Sequence, residues 1–153
     1  MARPEDIPEP TRTAVTTVEC PRFETHPFVK GPPLSQRRIA IISSAALIKR
    51  GEVPFHFGST DYRTVSANYP TKDILVSHVS INFDRSGLQR DINVVYPITR
   101  LHELADEGVI AGVADTHYTI MGSSDPDGMA DSADQIAGQL RQERIDSILL
   151  SPV

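Results

Sequence analysis

The sequence has few of the residues from which disulfides and metal sites are built. Its single cysteine, Cys20, excludes an internal disulfide and a thiolate cluster within one chain. The five histidines are scattered, and no two of them have the spacing of a helical or finger-type zinc site. The sequence therefore predicts no metal site, and Cys20 is interpreted as an incidental free thiol.

The sequence also lacks the features of membrane, secreted and nucleic-acid-binding proteins. No apolar run approaches the roughly 18–20 residues that span a bilayer, and the first ten residues have no apolar signal-peptide core. The 15 basic and 20 acidic residues give a net charge of -5, which argues against a nucleic-acid or anionic-membrane surface. We therefore expect a soluble, cytoplasmic protein.

The organisation along the chain indicates two parts. Residues 1–35 hold seven of the 12 prolines and are predicted to form an irregular arm without a helix. Residues 36–153 are predicted to form one α/β domain. Within 122–128, the glycines lack the spacing of a nucleotide-binding loop, so no nucleotide cofactor is predicted.

Apolar segments alternate with helical patterns in the predicted domain. Strands are predicted in 37–47, 73–83, 109–121 and 145–153, and residues 50–75 are expected to be mostly loop. One helix is predicted from Pro97 to Gly108, and a second begins at Asp125-Pro126.

This alternation predicts an α/β fold with a mainly parallel sheet and crossover helices, in a Rossmann-like arrangement of three layers. Ligands of such sheets bind beyond the carboxyl ends of the strands. The last segment, 145–153, is predicted to be a buried strand with no helix after it. The sheet is therefore expected to be truncated on its C-terminal side.

An ordered series of short motifs runs through residues 77–122. A histidine and an aspartate are followed by Asp-x-Asn, an apolar-Pro pair, an Arg-Leu-x-x-Leu helix, a glycine turn and His-Tyr-x-x-Met-Gly. These positions hold His78, Asp84, Asp91 with Asn93, Tyr96-Pro97, Arg100-Leu101 with Leu104, Gly108-Val109-Ile110, and His117-Tyr118 with Met121-Gly122. The series resembles the selenoprotein B family of glycine, sarcosine, betaine and D-proline reductases.

The resemblance implies a reductase subunit that cleaves a carbon–heteroatom bond in a small-molecule substrate. In the family, the strand that resembles residues 147–153 leads into a selenocysteine or cysteine followed three residues later by cysteine. The nucleophile is thus expected directly after Val153, and the 153-residue chain is expected to be inactive alone. The resemblance implies a dithiol electron donor and a partner reductase subunit or homo-oligomer, and it implies no flavin, nicotinamide or metal.

Selenocysteine is encoded by UGA, which is normally read as stop. The sequence therefore leads to the hypothesis that the chain is a truncated product of a longer selenoprotein gene. An in-frame continuation after the codon for Val153, with a cysteine a few codons on, is the expected observation.

Four residues are candidates for supporting roles in catalysis. His78, near a predicted strand end, is a candidate acid or base or an anion-orienting donor, and a hydrogen-bonded structural histidine is the alternative. Asp84 and Asp91 are candidates to orient His78 or to bind a substrate ammonium, or else they cap turns. His117, expected late in a strand, is a candidate proton donor or a buried polar residue satisfied by backbone.

Two other functions compete with the reductase subunit. The first is a short binding or scaffold module that pairs through its C-terminal strand. The second is a metal-dependent lyase built on His78 and His117, which would need tight metal binding.

Overall fold

The computed structural model describes residues 3–17, 22, 24–80 and 85–153. The strands are β1 (Arg38–Ser43), β2 (Leu47–Lys49), β3 (Tyr62–Ser66), β4 (Ile74–Val76), β5 (Gly112–Val113), β6 (Thr116–Ile120) and β7 (Ser147–Ser151). The α-helices are α1 (Thr11–Thr16), α2 (Ser86–Arg90), α3 (Ile98–Asp106) and α4 (Ala130–Gln142). Short 3-10 turns cover Pro4–Asp6, Leu34–Gln36, Thr71–Asp73, Ile92–Val94 and Pro126–Met129.

The main sheet is built around β1. Strands β5 and β6 pair with β1 in parallel along one side, and β7 pairs with it in parallel along the other. Strand β3 adds an antiparallel edge next to β6, and β2 and β4 form a separate antiparallel pair. The predicted α/β fold with parallel strands and connecting helices is confirmed.

Alternation of side chains along β1 supplies a core on each face of the sheet. Ile39 and Ile41 pack in the cluster that contains Leu101 of α3. Ala40 points the other way and packs in the cluster that contains Ile136 and other residues of α4. The sheet therefore lies between two helical layers, as the strand–helix alternation predicted.

The ends of the two main helices follow the predicted sequence signals. Helix α3 begins directly after Pro97, and the chain leaves it through Gly108, whose φ of +71° is in the left-handed region that favours glycine. The Asp125 side chain accepts a hydrogen bond from Asp127 N at 3.0 Å and caps the turn that leads into α4.

The sequence prediction missed several elements, among them α1 and β3. Helix α1 forms within the arm, where no helix was expected, because the Glu9 carboxylate accepts hydrogen bonds from the Thr13 amide and hydroxyl at 3.2 and 2.6 Å. Strand β3 lies in 50–75, which was expected to be mostly loop. Its pairing with β6 joins residues about fifty positions apart, a contact that local patterns do not report.

Strand β7 forms where it was predicted, but the prediction that it is buried was wrong. Ile148, Leu149 and Leu150 are 46%, 38% and 64% exposed. The strand has β1 as its neighbour on one side, and no described element pairs with its other side. Within the described residues, no helix combines the length and the apolar character that crossing a membrane requires.

Candidate functional site

Three parallel strands end at the same edge of the main sheet. Ser43, the last residue of β1, is in register with Thr119 of β6 and with Ser151, the last residue of β7. The segments that follow these strands therefore start side by side, at the edge where parallel α/β sheets bind ligands.

Ser44 joins the three strand ends. Its amide donates to the carbonyl of Ser151 at 3.1 Å, and its own carbonyl accepts from the amide of Gly122 at 3.1 Å. Its hydroxyl oxygen accepts from the amide of Val153 at 2.8 Å. We refer to Ser44, Gly122 and Val153 as the strand-end site.

Close packing at the strand-end site requires glycine at position 122. A Cβ atom there would lie 2.8 Å from the carbonyl oxygen of Ser44 and 2.9 Å from its Cβ, closer than such atoms approach. The preceding residue, Met121, is fully buried beside Ala46 and Phe55. The Met-Gly pair of the sequence motif thus has a physical reason in this fold.

His78 lies near the same edge. The strand predicted over 73–83 is formed at Ile74–Val76, and residues 81–84 lie outside the described part of the chain. The Ser77 amide donates to the carbonyl of Ala46 at 2.9 Å, and the Ala46 amide donates to Ile120, the last residue of β6, at 3.0 Å. Ser77, which directly precedes His78, is therefore linked through Ala46 to the end of β6.

The environment of His78 favours the neutral imidazole. The residue is 5% exposed, and its Nδ1 accepts a hydrogen bond from the Ser80 amide at 3.1 Å. Burial, and secondarily the Arg85 guanidinium, lower the pKa of His78 below its ordinary value. Arg85 also donates to the carbonyls of His78 and Ser80 at 2.7 and 2.6 Å, which fixes this segment.

With Nδ1 accepting a backbone N–H, a neutral His78 ring carries its proton on Nε2. In that state the ring offers a hydrogen-bond donor to a neighbouring group. The geometry thus suits a role as a hydrogen-bond donor that orients an anion better than a role as acid or base.

His117 is the second residue of β6, so the expectation that it lies late in its strand was wrong. It is fully buried, and its ring meets the Tyr96 ring edge to face, with centroids 5.5 Å apart. Its Nδ1 accepts from the backbone N–H of Ile41 at 2.9 Å. Burial, the largest cause, lowers the pKa of His117 from 6.5 to about 4, so the ring is neutral at neutral pH.

The strand register separates His117 from the strand-end site. Tyr118 and Leu150 both pair with Ile42, so His117 is level with Leu149. Val153 lies four residues further along, which is roughly 13 Å of extended chain. Direct proton transfer from His117 to a group after Val153 is therefore geometrically unfavourable.

Asp91 is an exposed cap of the turn Ile92–Val94. Its Oδ1 accepts from the amide of Asn93 at 2.9 Å and from the Asn93 side chain at 2.8 Å, and these hydrogen bonds lower the pKa of Asp91. The Asn93 side-chain oxygen in turn accepts from the amide of Thr99. This is the capping geometry weighed in the sequence analysis. Asp84 and Cys20 lie outside the described residues.

Sequence reasoning missed Ser44 as a member of the site. Its role depends on contacts with residues about eighty and over one hundred positions away, and serine between two strands has no local pattern that predicts this. Among the described residues, no group of three or more His, Cys, Asp or Glu side chains is arranged to hold a metal ion.

Comparison with known proteins decides the family. Residues 10–152 match the family of glycine/sarcosine/betaine reductase selenoprotein B. The chain belongs to this family. A curated relative, D-proline reductase subunit gamma of Acetoanaerobium sticklandii, is 26% identical over 121 residues. These residues are 77% of this chain and 49% of that protein, so the chain spans about half the length of the curated relative. No solved structure matches the chain.

The selenoprotein B family match covers the motifs that carried the resemblance and the three strands that meet at Ser44. The Met121-Gly122 motif and β7 are far apart in sequence, and both contribute to the strand-end site. Ser44 and Gly122 of the strand-end site therefore lie within the matched residues.

Proposed function

We propose that this chain forms part of a subunit of a reductase of the glycine, sarcosine, betaine and D-proline type. The strand-end site would hold the reactive segment of the complete subunit. The observation that carries this proposal is the hydrogen bond from the Val153 amide to Ser44, which fixes the backbone just beyond β7 against the ends of β1 and β6. The family match over residues 10–152 supports it.

In the proposed reaction a carbon–heteroatom bond is replaced by a carbon–hydrogen and a heteroatom–hydrogen bond. A selenolate or thiolate following Val153 attacks carbon and displaces the heteroatom group. A neighbouring thiol then attacks the selenium or sulfur and releases the reduced carbon with a proton. A dithiol donor restores the motif and becomes a disulfide, so two electrons and two protons balance the bond cleavage.

His78 is the described residue that we propose as a hydrogen-bond donor to the anion that forms in this reaction. It is a buried, neutral imidazole in a segment tied to the end of β6, and Arg85 holds that segment through two carbonyl groups. The supporting roles of Asp84, Asp91 and His117 stay predictions. For His117 we propose a positioning role, through its hydrogen bond with the Ile41 amide. The 153-residue chain alone should show no turnover, and we expect the complete enzyme to work in the cytoplasm with a partner subunit.

The first test is the gene sequence after the codon for Val153. A UGA codon followed by an open frame with a cysteine codon three positions later would support the proposal. A different stop codon, with no coherent reading frame behind it, would contradict it.

The second test uses the complete subunit with cysteine in place of selenocysteine. Dithiol oxidation that depends on a candidate substrate should fall at least tenfold in His78→Leu, since removal of one hydrogen-bond donor to a developing anion costs about 100-fold or more. The matched control is His102→Leu, because His102 is an exposed histidine of α3. Equal activity of the two variants would remove His78 from the mechanism.

A second candidate function is a scaffold module that pairs through β7. The observation that favours it is the uncharged, exposed strand Ser147–Ser151, since sheet edges in monomeric proteins usually carry charges or cover. Light scattering after gel filtration should show an oligomer that Leu150→Lys converts to a monomer. Val94→Lys is the control, because Val94 is 63% exposed against 64% for Leu150. A monomeric native chain would eliminate this candidate.

A further inference from the structure

A cleft of about 670 Å³ lies between the β4 region and the segment 85–93. It falls in the usual volume range of small-molecule sites. Its apolar lining includes the buried Ile74 and Leu88 and the half-buried Ile92, and we refer to these three side chains as the apolar floor. The cleft therefore offers an apolar surface to the body of a ligand.

The rim of this cleft is cationic although the chain as a whole is acidic. Lys72, Arg85 and Arg90 line it, and among the described residues Asp91 is the single lining carboxylate. The chain carries a net charge of -5, so three cations around one cleft oppose the average composition. A local excess of positive charge attracts anions to this surface.

Two of these cations have no counter-ion within the described part of the chain. Lys72 and Arg90 take part in none of its ion pairs, whereas Arg3, Arg12, Arg38, Lys49, Arg50 and Arg100 each face a carboxylate. Arg85 differs, because its guanidinium donates to the carbonyls of the His78 segment. Lys72 and Arg90 thus have donors available for a ligand.

We propose that this cleft binds a small organic anion, with a carboxylate held by Lys72 and Arg90 and an apolar body against Ile74, Leu88 and Ile92. The apolar floor distinguishes such a ligand from an inorganic anion, which gains nothing from it. The proposal does not depend on the reductase function, because it concerns binding by residues of this chain alone.

The test is titration of the chain with isobutyrate, followed by amide NMR at constant ionic strength. Isobutyrate should shift the signals of 71–76 and 88–93 saturably, and isobutyramide, which has the same shape without the charge, should not. Lys72→Gln and Arg90→Gln should each weaken isobutyrate binding about tenfold, the usual effect of losing one charge-assisted hydrogen bond. The single variants Lys30→Gln and Arg141→Gln change the net charge equally away from the cleft and should each bind as the native chain does.

Three outcomes would overturn the proposal. Equal shifts with isobutyrate and isobutyramide would show that charge is not recognised. Unchanged affinity in both cleft variants would assign the anion to another surface. Inorganic phosphate that binds as tightly as isobutyrate would show that the apolar floor has no part in recognition. The comparison of the three probes uses the native chain, so it does not depend on the folding of any variant.

Discussion

The Nδ1 atom of His117 accepts a hydrogen bond from the backbone N–H of Ile41 at 2.9 Å. Strand β1 pairs with β5 at its first two residues and with β6 at its last two. Ile41 lies between these two ladders, and the His117 ring supplies the acceptor that the ladder lacks there. The ring can do this only while Nδ1 is unprotonated.

This contact predicts a pH-dependent stability. The pKa of His117 is about 4 in the folded chain against 6.5 ordinarily, so the unfolded chain binds the proton first as pH falls. The contribution of His117 to the free energy of unfolding is fully present above pH 6.5. As the pH falls from 6.5 toward about 4, the free energy of unfolding should decrease by about 3 kcal/mol in total. Urea unfolding at a series of pH values measures it.

The matched variant for this experiment is His117→Asn, whose side-chain oxygen replaces Nδ1 as acceptor but does not titrate. Its stability should fall less steeply in the same pH window. Parallel loss in the native chain and the variant would show that His117 does not cause the effect. His117→Leu should instead cost about 1–3 kcal/mol at neutral pH, because the buried Ile41 N–H then has no acceptor.

Gly122→Ala should destabilise the fold. The new Cβ would lie 2.8 Å from the backbone oxygen of Ser44, which cannot turn aside as a flexible side chain does. Overpacking of this kind costs about 1–3 kcal/mol. Thermal or urea unfolding measures the loss.

Gly138→Ala is the control for Gly122→Ala. Gly138 lies inside α4, and a Cβ there meets no atom within 4 Å. This change should be stabilising by up to about 1 kcal/mol, because alanine favours the helix. A Gly122→Ala variant as stable as native would contradict the close packing of the strand ends.

Ser43→Ala should destabilise more than an exposed serine change does. The buried Ser43 hydroxyl donates to the carbonyl of Val95 at 2.8 Å and accepts from the amide of Ala45 at 3.3 Å. Leaving such buried groups without a partner costs about 1–3 kcal/mol. Ser66→Ala removes an acceptor only from exposed Asn68 and should change the free energy of unfolding little.

Ser44→Ala should release the backbone at the strand-end site without unfolding the protein. The Val153 amide loses its acceptor, so its hydrogen exchange should accelerate. The amide of Ala46, which donates to Ile120, should stay protected and serves as the internal reference. Unchanged exchange at Val153 would mean that Ser44 does not hold this segment.

Local signals in the sequence were sufficient for the two main helices, α3 and α4. Pro97, Gly108 and Asp125 mark helix ends through backbone geometry that neighbouring residues determine, and the structure agrees with them. The apolar residues of β1 likewise predicted a strand buried on both faces, because their burial follows from composition.

Properties set by distant contacts were not predictable in this way. Strand β3 depends on β6, and the exposure of Leu150 depends on what lies beside β7, which residue types alone do not report. Ser44 belongs to the candidate site only through Gly122, Ser151 and Val153. His78 could be proposed from its motif, but its neutral state depends on burial and on Arg85.

The central position of β1 has a consequence for how the chain reaches this structure. The Arg38 amide at the start of β1 donates to the Asp146 carboxylate, and the two residues are separated by 108 positions. During synthesis β1 leaves the ribosome long before β7 exists. The backbone N–H and C=O groups on one side of this apolar strand therefore have no strand to pair with. Sheets that depend on such long-range parallel pairing form slowly and expose aggregation-prone edges meanwhile. Chaperone binding during this interval should therefore raise the yield of native protein.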